Sequence, residues 1–308
     1  MTTLVLGATG FVGSALVPEL VACGERVRGT SRRETPPGGA AGVEWFRCDV
    51  QKPDTLAAAL EGVDFVYYLV HSMGLGAGDF RPVDREAAGN LARAAESAGC
   101  KRIVYLGGVA PRGRPSEHLA SRIEVGEILR AGRVPTLELR AAMIVGNGSA
   151  SWRILRDLSV RLPVMILPRW LESRSCPIAL PDVITALLDG RHVPLEKSAY
   201  YDIAGPEALS CREMIQIVAA ERGLHIPMLR VPVLSPRLSA LWLRFVTSAD
   251  REVARQLVLG LTQDLLPEGR SYWELSGHPP QWSFARAAGH ALATERGPAK
   301  DGLWRAAR

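Results

Sequence analysis

Short apolar runs and stretches of helical periodicity alternate along the first half of the chain. Thr3-Leu4-Val5-Leu6 reads as a strand, and Phe11 to Cys23 as a helix with Val12, Ala15, Leu16 and Leu20 on one face. Arg26 to Thr30 and Val43 to Cys48 are further strands, and Pro53-Asp54 announces a short helix over Thr55 to Leu60. Val63 to Val70 (VDFVYYLV) is nearly all apolar, as a strand buried on both faces would be. An Ala-rich helix from Asp84 to Ala98 closes at Gly99, and a strand follows from Arg102 to Leu106. A helix from Glu117 to Ala131 closes at Gly132, and Thr136 to Val145 is strand again. This alternation predicts an α/β fold built on a Rossmann-type, doubly wound parallel sheet.

The pattern loosens after Gly146-Asn147-Gly148-Ser149. Leu162 to Leu167 is expected as a strand, Pro181 to Gly190 as a short helix, Tyr200 to Ile203 as a strand and Cys211 to Arg222 as a helix. Leu229 to Leu266 is apolar but broken by Pro232 and Pro236, and Trp282-Ser283-Phe284-Ala285 opens a last helix. A smaller, less regular C-terminal lobe is therefore expected, with some segments returning to the core sheet. Fraying is expected after Thr294.

The first strand runs into Gly7-Ala8-Thr9-Gly10-Phe11-Val12-Gly13, which opens the first helix. Gly-x-x-Gly-x-x-Gly between a strand and a helix is the arrangement that cradles a dinucleotide pyrophosphate. Gly7 allows the tight turn, Gly10 lets the backbone approach the phosphates, and Gly13 lets the helix pack against the sheet. The second strand then ends in Thr30-Ser31-Arg32-Arg33 with no carboxylate. An Asp or Glu there would hold a free ribose 2′-hydroxyl, whereas Ser31, Arg32 and Arg33 suit a 2′-phosphate. NADP(H) is the expected cofactor, with solvated loop arginines as the alternative. Asp49-Val50 after the third strand lies near the expected adenine edge, where Asp49 serves equally as a cap for the next helix. The expected division is a cofactor-binding core over 1–150, a substrate lobe over 151–294 and a frayed tail over 295–308.

Composition narrows the choice of partners. There are 37 Lys+Arg against 32 Asp+Glu, a net charge of +5, but the lysines are only Lys52, Lys101, Lys197 and Lys300. The basic residues are thus nearly all scattered arginines, which argues against a nucleic-acid-binding arm. Cys23, Cys48, Cys100, Cys176 and Cys211 form no C-x-x-C pair, so a disulfide framework and a zinc site are not expected. His192, His225, His278 and His290 show no metal spacing. No apolar run is long enough for a membrane span, and Met1-Thr2-Thr3 lacks the basic start of a signal peptide, so a cytoplasmic location is expected.

Together GATGFVG, the Ser31-Arg32-Arg33 strand end, Cys48-Asp49-Val50 and YYLVHSMG (67–74) resemble an atypical short-chain dehydrogenase/reductase of the NmrA-like, NAD(P)H-binding group. The segments YLGGVA (105–110), HLASRIEVGEIL (118–129), ELRAAMIVGNGSAS (138–151), LPVMILPRW (162–170), PIALPDV (177–183) and YDIAGPEALSCREM (201–214) fit too. The resemblance spans roughly residues 1–266, and WSFARAAGHAL (282–292) suits the family's last helix. It implies the fold, NADP(H) binding that includes Leu69, Val70 and His71, and a C-terminal substrate region. It leaves the reaction open, since such proteins include reductases, isomerases and cofactor sensors.

Dehydrogenases of this superfamily usually carry Tyr-x-x-x-Lys and a Ser after the preceding strand. Four residues beyond Tyr67, Tyr68, Tyr105, Tyr200, Tyr201 and Tyr272 stand His71, Ser72, Val109, Ala204, Gly205 and Ser276, and none is Lys. His118 falls at the Tyr position and Arg122 at the Lys position, one turn apart on one helix face. Arg122 is expected against the ribose and nicotinamide, and His118 as a proton donor near neutral pH, with a surface role as the alternative. The Ser position falls on Gly107-Gly108, and Ser72 is a further polar candidate. Trp152, Met165, Ile166, Trp170, Trp242, Leu243 and Phe245 suggest a pocket for an apolar or aromatic substrate, or else the lobe's own core. The leading expectation is an NADPH-dependent reductase acting on a ketone. A non-enzymatic NADP(H) sensor with a protein partner comes second, an isomerase third and a DNA-binding protein last.

Overall fold

The computed structural model describes residues 1–33, 41–72, 80–162, 164–167, 169–230 and 263–295. Its first half follows the predicted alternation: β1 (Thr2–Leu6), α1 (Phe11–Ala22), β2 (Arg26–Ser31), β3 (Val43–Arg47), α2 (Pro53–Leu60), β4 (Phe65–Tyr68), α3 (Phe80–Ser97), β5 (Arg102–Gly108), α4 (Glu117–Ala131) and β6 (Thr136–Ala141). Next come β7 (Ile144–Val145), α5 (Ala150–Arg161), β8 (Met165–Leu167), a 3-10 turn (Arg169–Glu172), β9 (Arg174–Ser175), β10 (Ile178–Ala179), α6 (Leu180–Asp189) and β11 (Ala199–Asp202). The described chain finishes with β12 (Leu209–Ser210), α7 (Cys211–Ala220), β13 (Met228–Arg230), α8 (Tyr272–Ser276) and α9 (Phe284–Ala293).

Seven strands form one parallel sheet in the order β11-β6-β5-β4-β1-β2-β3. Parallel neighbours cannot be joined by hairpins, so helices must cross over between them and cover the faces. Every residue of β1, β4 and β6 is correspondingly buried. Ser116 caps α4 by accepting the Leu119 N–H, and Pro53 occupies the first turn of α2, where its missing N–H costs nothing.

Three expectations change. Thr136 to Val145 is not one strand: β6 stops at Ala141, and β7 leaves the main sheet to pair with β10. β4 stops at Tyr68, so Leu69 to Ser72 emerge from the sheet and its Leu69 N–H still reaches the Leu6 carbonyl at 3.0 Å. Helix α5 was not expected at all, although Ser149 caps it and Trp152, Leu155 and Leu158 recur along its buried face. Its many arginines masked that stripe.

Residues after 150 contribute to two cores. β11 adds to the main sheet beside β6, and Val183, Leu187, Ile203 and Tyr272 pack with Val5, Leu16 and Tyr67. A separate cluster belongs to the lobe, where Trp152, Leu155, Met165, Met214, Val218 and Phe284 meet. Of the expected Leu229–Leu266 segment, 231–262 lies outside the described residues, as do 296–308. Cys48, Cys100, Cys176 and Cys211 are buried free thiols and Cys23 is exposed. Among the described residues no helix is long and apolar enough to cross a membrane.

Candidate cofactor cleft and active site

The sheet order reverses at β1, with β4 on one side and β2 on the other. Crossovers leave to opposite faces there, and the strand ends open a crevice. The Gly7–Gly13 turn sits in it. Gly7 has φ +87, and a Cβ on it would lie 3.0 Å from the Leu69 carbonyl. A Cβ on Gly13 would stand 2.2 Å from the Gly7 carbonyl oxygen, so only glycine lets α1 close on the turn. Thr30 pins the turn from β2: its hydroxyl donates to the Val5 carbonyl at 3.1 Å and lies 3.4 Å from the Gly7 N–H. The N-terminal end of α1, with its unpaired N–H groups, is directed at the crevice. The backbone forms a cradle that side chains would fill, and it fits the pyrophosphate of NAD(P)H.

A cleft of about 540 Å³ runs along the crevice and is lined at its centre by Gly7, Thr9, Gly10, Phe11, Val12 and Gly13. On the β2–β3 side stand Ser31, Arg32, Asp49 and Val50, with Thr30, Cys48 and Gln51 beside them. Arg33 does not join the lining. It is exposed, and its backbone N–H donates to Ser31 Oγ at 3.0 Å. Asp49 is not a helix cap: its Oδ1 accepts the Gln51 N–H at 3.1 Å, and Lys52 holds the cap position.

On the β4–β5 side the lining consists of Leu69, Val70, His71 and Ser72 after β4, Leu106 to Gly108 at the end of β5, and His118, Leu119 and Arg122 from α4. The rings of His71 and His118 meet edge to face with centroids 6.0 Å apart. Arg122 donates a guanidinium N–H to the Leu106 carbonyl, and its own carbonyl accepts the Tyr105 phenol at 3.0 Å. None of the tyrosines lines the cleft. The missing serine also has a physical reason. A Cβ on Gly107 would lie 2.8 Å from Glu138 Oε1, and one on Gly108 would lie 3.3 Å from Arg122 Nε.

Electrostatics revise the role expected of His118. Burial, then the Arg122 cation, then His71, lower its pKa to about 3. His71 opens onto the cleft, yet the surrounding protein and Arg122 lower it to about 4, against a smaller opposing pull from Asp84. Both imidazoles are neutral at pH 7, so imidazolium at His118 is not the proton source near neutrality. Its neighbour one turn along, Arg122, carries the positive charge instead.

Among the buried acids that the sequence reading did not single out, two touch the residues around the cleft. Asp84 takes the Ser72 N–H at 2.9 Å and the Ser121 hydroxyl at 2.8 Å. Its signal was visible as a carboxylate on the apolar stripe that continues through Ala87, Ala88, Leu91 and Ala95. Glu138, inside an apolar strand, is the other. The segment that follows β6 adds Ala142, Ile144 and Gly148 to Ser151 to the lining. Trp152 and Met165, expected near substrate, are in the lobe core instead. The side chains of Ile166 and Trp170, and all of Trp242, Leu243 and Phe245, lie outside the described residues. Among the described residues no three His, Cys, Asp or Glu come together as a metal site.

Comparison with known proteins agrees with this geometry. Residues 7–157 match a family model described as NAD(P)H-binding. Sterol demethylase protein B of Methylococcus capsulatus is 34% identical over 128 residues, covering 38% of this chain and 39% of that protein. The match thus spans well under half of that relative's length. Photosystem II assembly factor Ycf39 of Synechocystis is 26% identical over 282 residues, covering 87% of this chain and 84% of that one. A short-chain dehydrogenase/reductase superfamily protein from Agrobacterium tumefaciens, solved with bound NAD, superposes with a TM-score of 0.69 at 19% identity, covering 95% and 96% of the two chains. Residues 7–157 thus carry an NAD(P)H-binding domain within a Rossmann-type fold, as the resemblance to the atypical, NmrA-like short-chain dehydrogenases/reductases implies.

Proposed function

We propose that this chain is an NADPH-dependent reductase that transfers hydride to the ketone carbonyl of a sizeable apolar or aromatic small molecule. The observation that carries the reading is the continuity of one cleft. It runs from Arg32, past the glycine turn, to a guanidinium flanked by two uncharged imidazoles. Bound NADPH would supply the hydride. Ser31 and Arg32 would hold its 2′-phosphate, and the N-terminus of α1 its pyrophosphate. Leu106, Leu119 and Ile144 offer apolar surface for substrate. The Arg122 cation would stabilise negative charge growing on the carbonyl oxygen. Without a phenol in the cleft, the proton reaches that oxygen from solvent.

Purified protein should oxidise NADPH when given a panel of alicyclic and aromatic ketones, followed by loss of nicotinamide absorbance. Arg32→Ala is expected to weaken NADPH binding by about 10- to 100-fold while leaving NADH binding little changed, the scale of one lost charge-assisted contact. Equal affinity of the unaltered protein for both dinucleotides would sink the NADP assignment. The rate should also lack an acid titrating near neutrality. An imidazolium donor would lose activity as pH rises through its pKa, but the His118 pKa of about 3 puts that loss well below the neutral range. The kcat/KM profile is therefore expected to stay flat between about pH 6 and 8. A descending limb near pH 6.5 that disappears in His118→Gln would restore His118 as the acid.

The neutral imidazoles and the tyrosine-free cleft also favour a second reading, an NADP(H) sensor that binds a protein partner. Tight NADPH binding without turnover across the ketone panel would select it.

A further inference from the structure

Helix α3 braces both halves of the cleft. Toward the β2–β3 half, Asn90 Nδ2 donates to the Val50 carbonyl at 3.3 Å. Toward the β4–β5 half, the two oxygens of Asp84 serve different segments. Oδ1 accepts the Ser72 N–H at 2.9 Å, and Oδ2 accepts the Ser121 hydroxyl at 2.8 Å. Ser72 follows His71 in the wall that leaves β4, and Ser121 precedes Arg122 on α4. Asp84, Ser72 and Ser121 are all buried, at 5%, 6% and 1% exposure. Hydrogen bonds to a charged acceptor shielded from water are stronger than neutral surface ones and expensive to leave unmade.

A carboxylate is a poor choice for an apolar helix stripe, where another alanine or leucine would be buried without a desolvation cost. What it adds is a rigid planar acceptor joining two chain segments. If either wall moves, one of the two bonds stretches. The two donors approach from β4 and from α4, so the carboxylate sets the spacing between them.

We propose that Asp84 is a positioning residue that holds the His71–Ser72 wall and the His118–Arg122 face of α4 at the spacing the nicotinamide half of the cofactor requires. The proposal rests on the NADP(H) reading above. It predicts that the two halves of the cofactor respond separately to changes on α3.

Two ligands separate the halves: NADPH, and adenosine 2′,5′-bisphosphate, which lacks the nicotinamide half. Dissociation constants are measured by calorimetry, with NADPH fluorescence as a second readout of the nicotinamide environment. Asp84→Ala is expected to weaken NADPH about tenfold or more and to leave the bisphosphate within about twofold. Asp84→Asn should recover most of the loss, because its amide oxygen still accepts from Ser72 and its N–H can donate to the Ser121 hydroxyl. Asn90→Ala should weaken both ligands alike. Equal weakening of both ligands by Asp84→Ala, or no weakening of either, overturns the proposal. Should Asp84→Ala fail to fold, Ser121→Ala removes one of the two bonds, and the same selective loss is required of it. Failure of the unaltered protein to bind either ligand would instead overturn the NADP(H) reading, and this proposal with it.

Discussion

Glu138→Ala is expected to destabilise the protein by about 3–5 kcal/mol, the cost of leaving buried cations without their counter-ion. Glu138 is fully buried on β6. Its Oε2 takes Arg130 Nε from α4 at 2.8 Å, and its Oε1 takes Arg140 Nε from its own strand at 2.8 Å. The Arg140 side chain is only 8% exposed and lies 3.7 Å over the Tyr200 ring. Two glycines are shaped around the carboxylate. A Cβ on Gly126 would meet it at 2.4 Å, and one on Gly107 at 2.8 Å. Removing the carboxylate therefore opens a hole and strands two guanidinium groups together. At about 2 °C per kcal/mol for a chain of this size, Tm should fall by roughly 6–10 °C. Urea unfolding followed by circular dichroism measures the loss, and a change below about 1 kcal/mol would show that solvent already neutralises the pair. Glu138→Gln should fall between, since it keeps the shape and one acceptor.

The second large effect is expected at Gly13. Alanine there would place its Cβ 2.2 Å from the Gly7 carbonyl oxygen and 2.8 Å from the Ala8 Cα. Both obstacles are backbone, so neither can swing aside as a side chain would. Relief requires α1 to lift off the turn, which withdraws its N-terminal N–H groups from the pyrophosphate. Gly13→Ala is expected to weaken NADPH binding more than about 100-fold, and to destabilise by about 1–3 kcal/mol as an overpacked site. Gly89→Ala provides the contrast. Gly89 is inside α3, and its added Cβ would meet only the end of the Arg93 side chain at 3.3 Å. It should be neutral or stabilise by up to about 1 kcal/mol, because alanine is the better helix former. Comparable cofactor affinity in Gly13→Ala and Gly89→Ala would contradict the role assigned to the turn.

The same contrast shows which features could be read along the chain. The glycine turn was legible because its neighbours in sequence are its neighbours in space: Gly7, Gly10 and Gly13 constrain one another within a strand–turn–helix. The parallel sheet was legible for a similar reason, since nearly continuous apolar runs such as Val63 to Val70 require burial on both faces. The lack of a Tyr-x-x-x-Lys pair followed from counting. Arg32 lines the cleft and Arg33 does not, a difference that two adjacent arginines after a strand do not reveal in sequence.

Helix α5 was the main element missed. Its Trp152, Leu155 and Leu158 stripe is narrow, and Arg153, Arg156, Asp157 and Arg161 interrupt it, so the helix becomes intelligible only against α7 and the lobe core. The break between β6 and β7 was hidden for the opposite reason. Apolar residues continue through Ala141 to Val145, and only pairing with β10 shows that the chain has changed sheets. Trp152 and Met165 could be assigned to a substrate pocket or to a core by their chemistry alone, and packing chose the core.

From the order of its residues alone this chain determines a dinucleotide-binding α/β sheet, a phosphate cradle and the absence of the usual catalytic pair. These depend on local periodicity and on contacts a few residues apart. The tertiary structure alone decided that burial and Arg122 hold the His118 pKa far below neutrality, that Glu138 crowds the space a Cβ at Gly107 would take, and that Asp84 bonds to both cleft walls. Each of these depends on groups from different strands and helices meeting out of water, where burial and a neighbouring charge reset what a side chain can do.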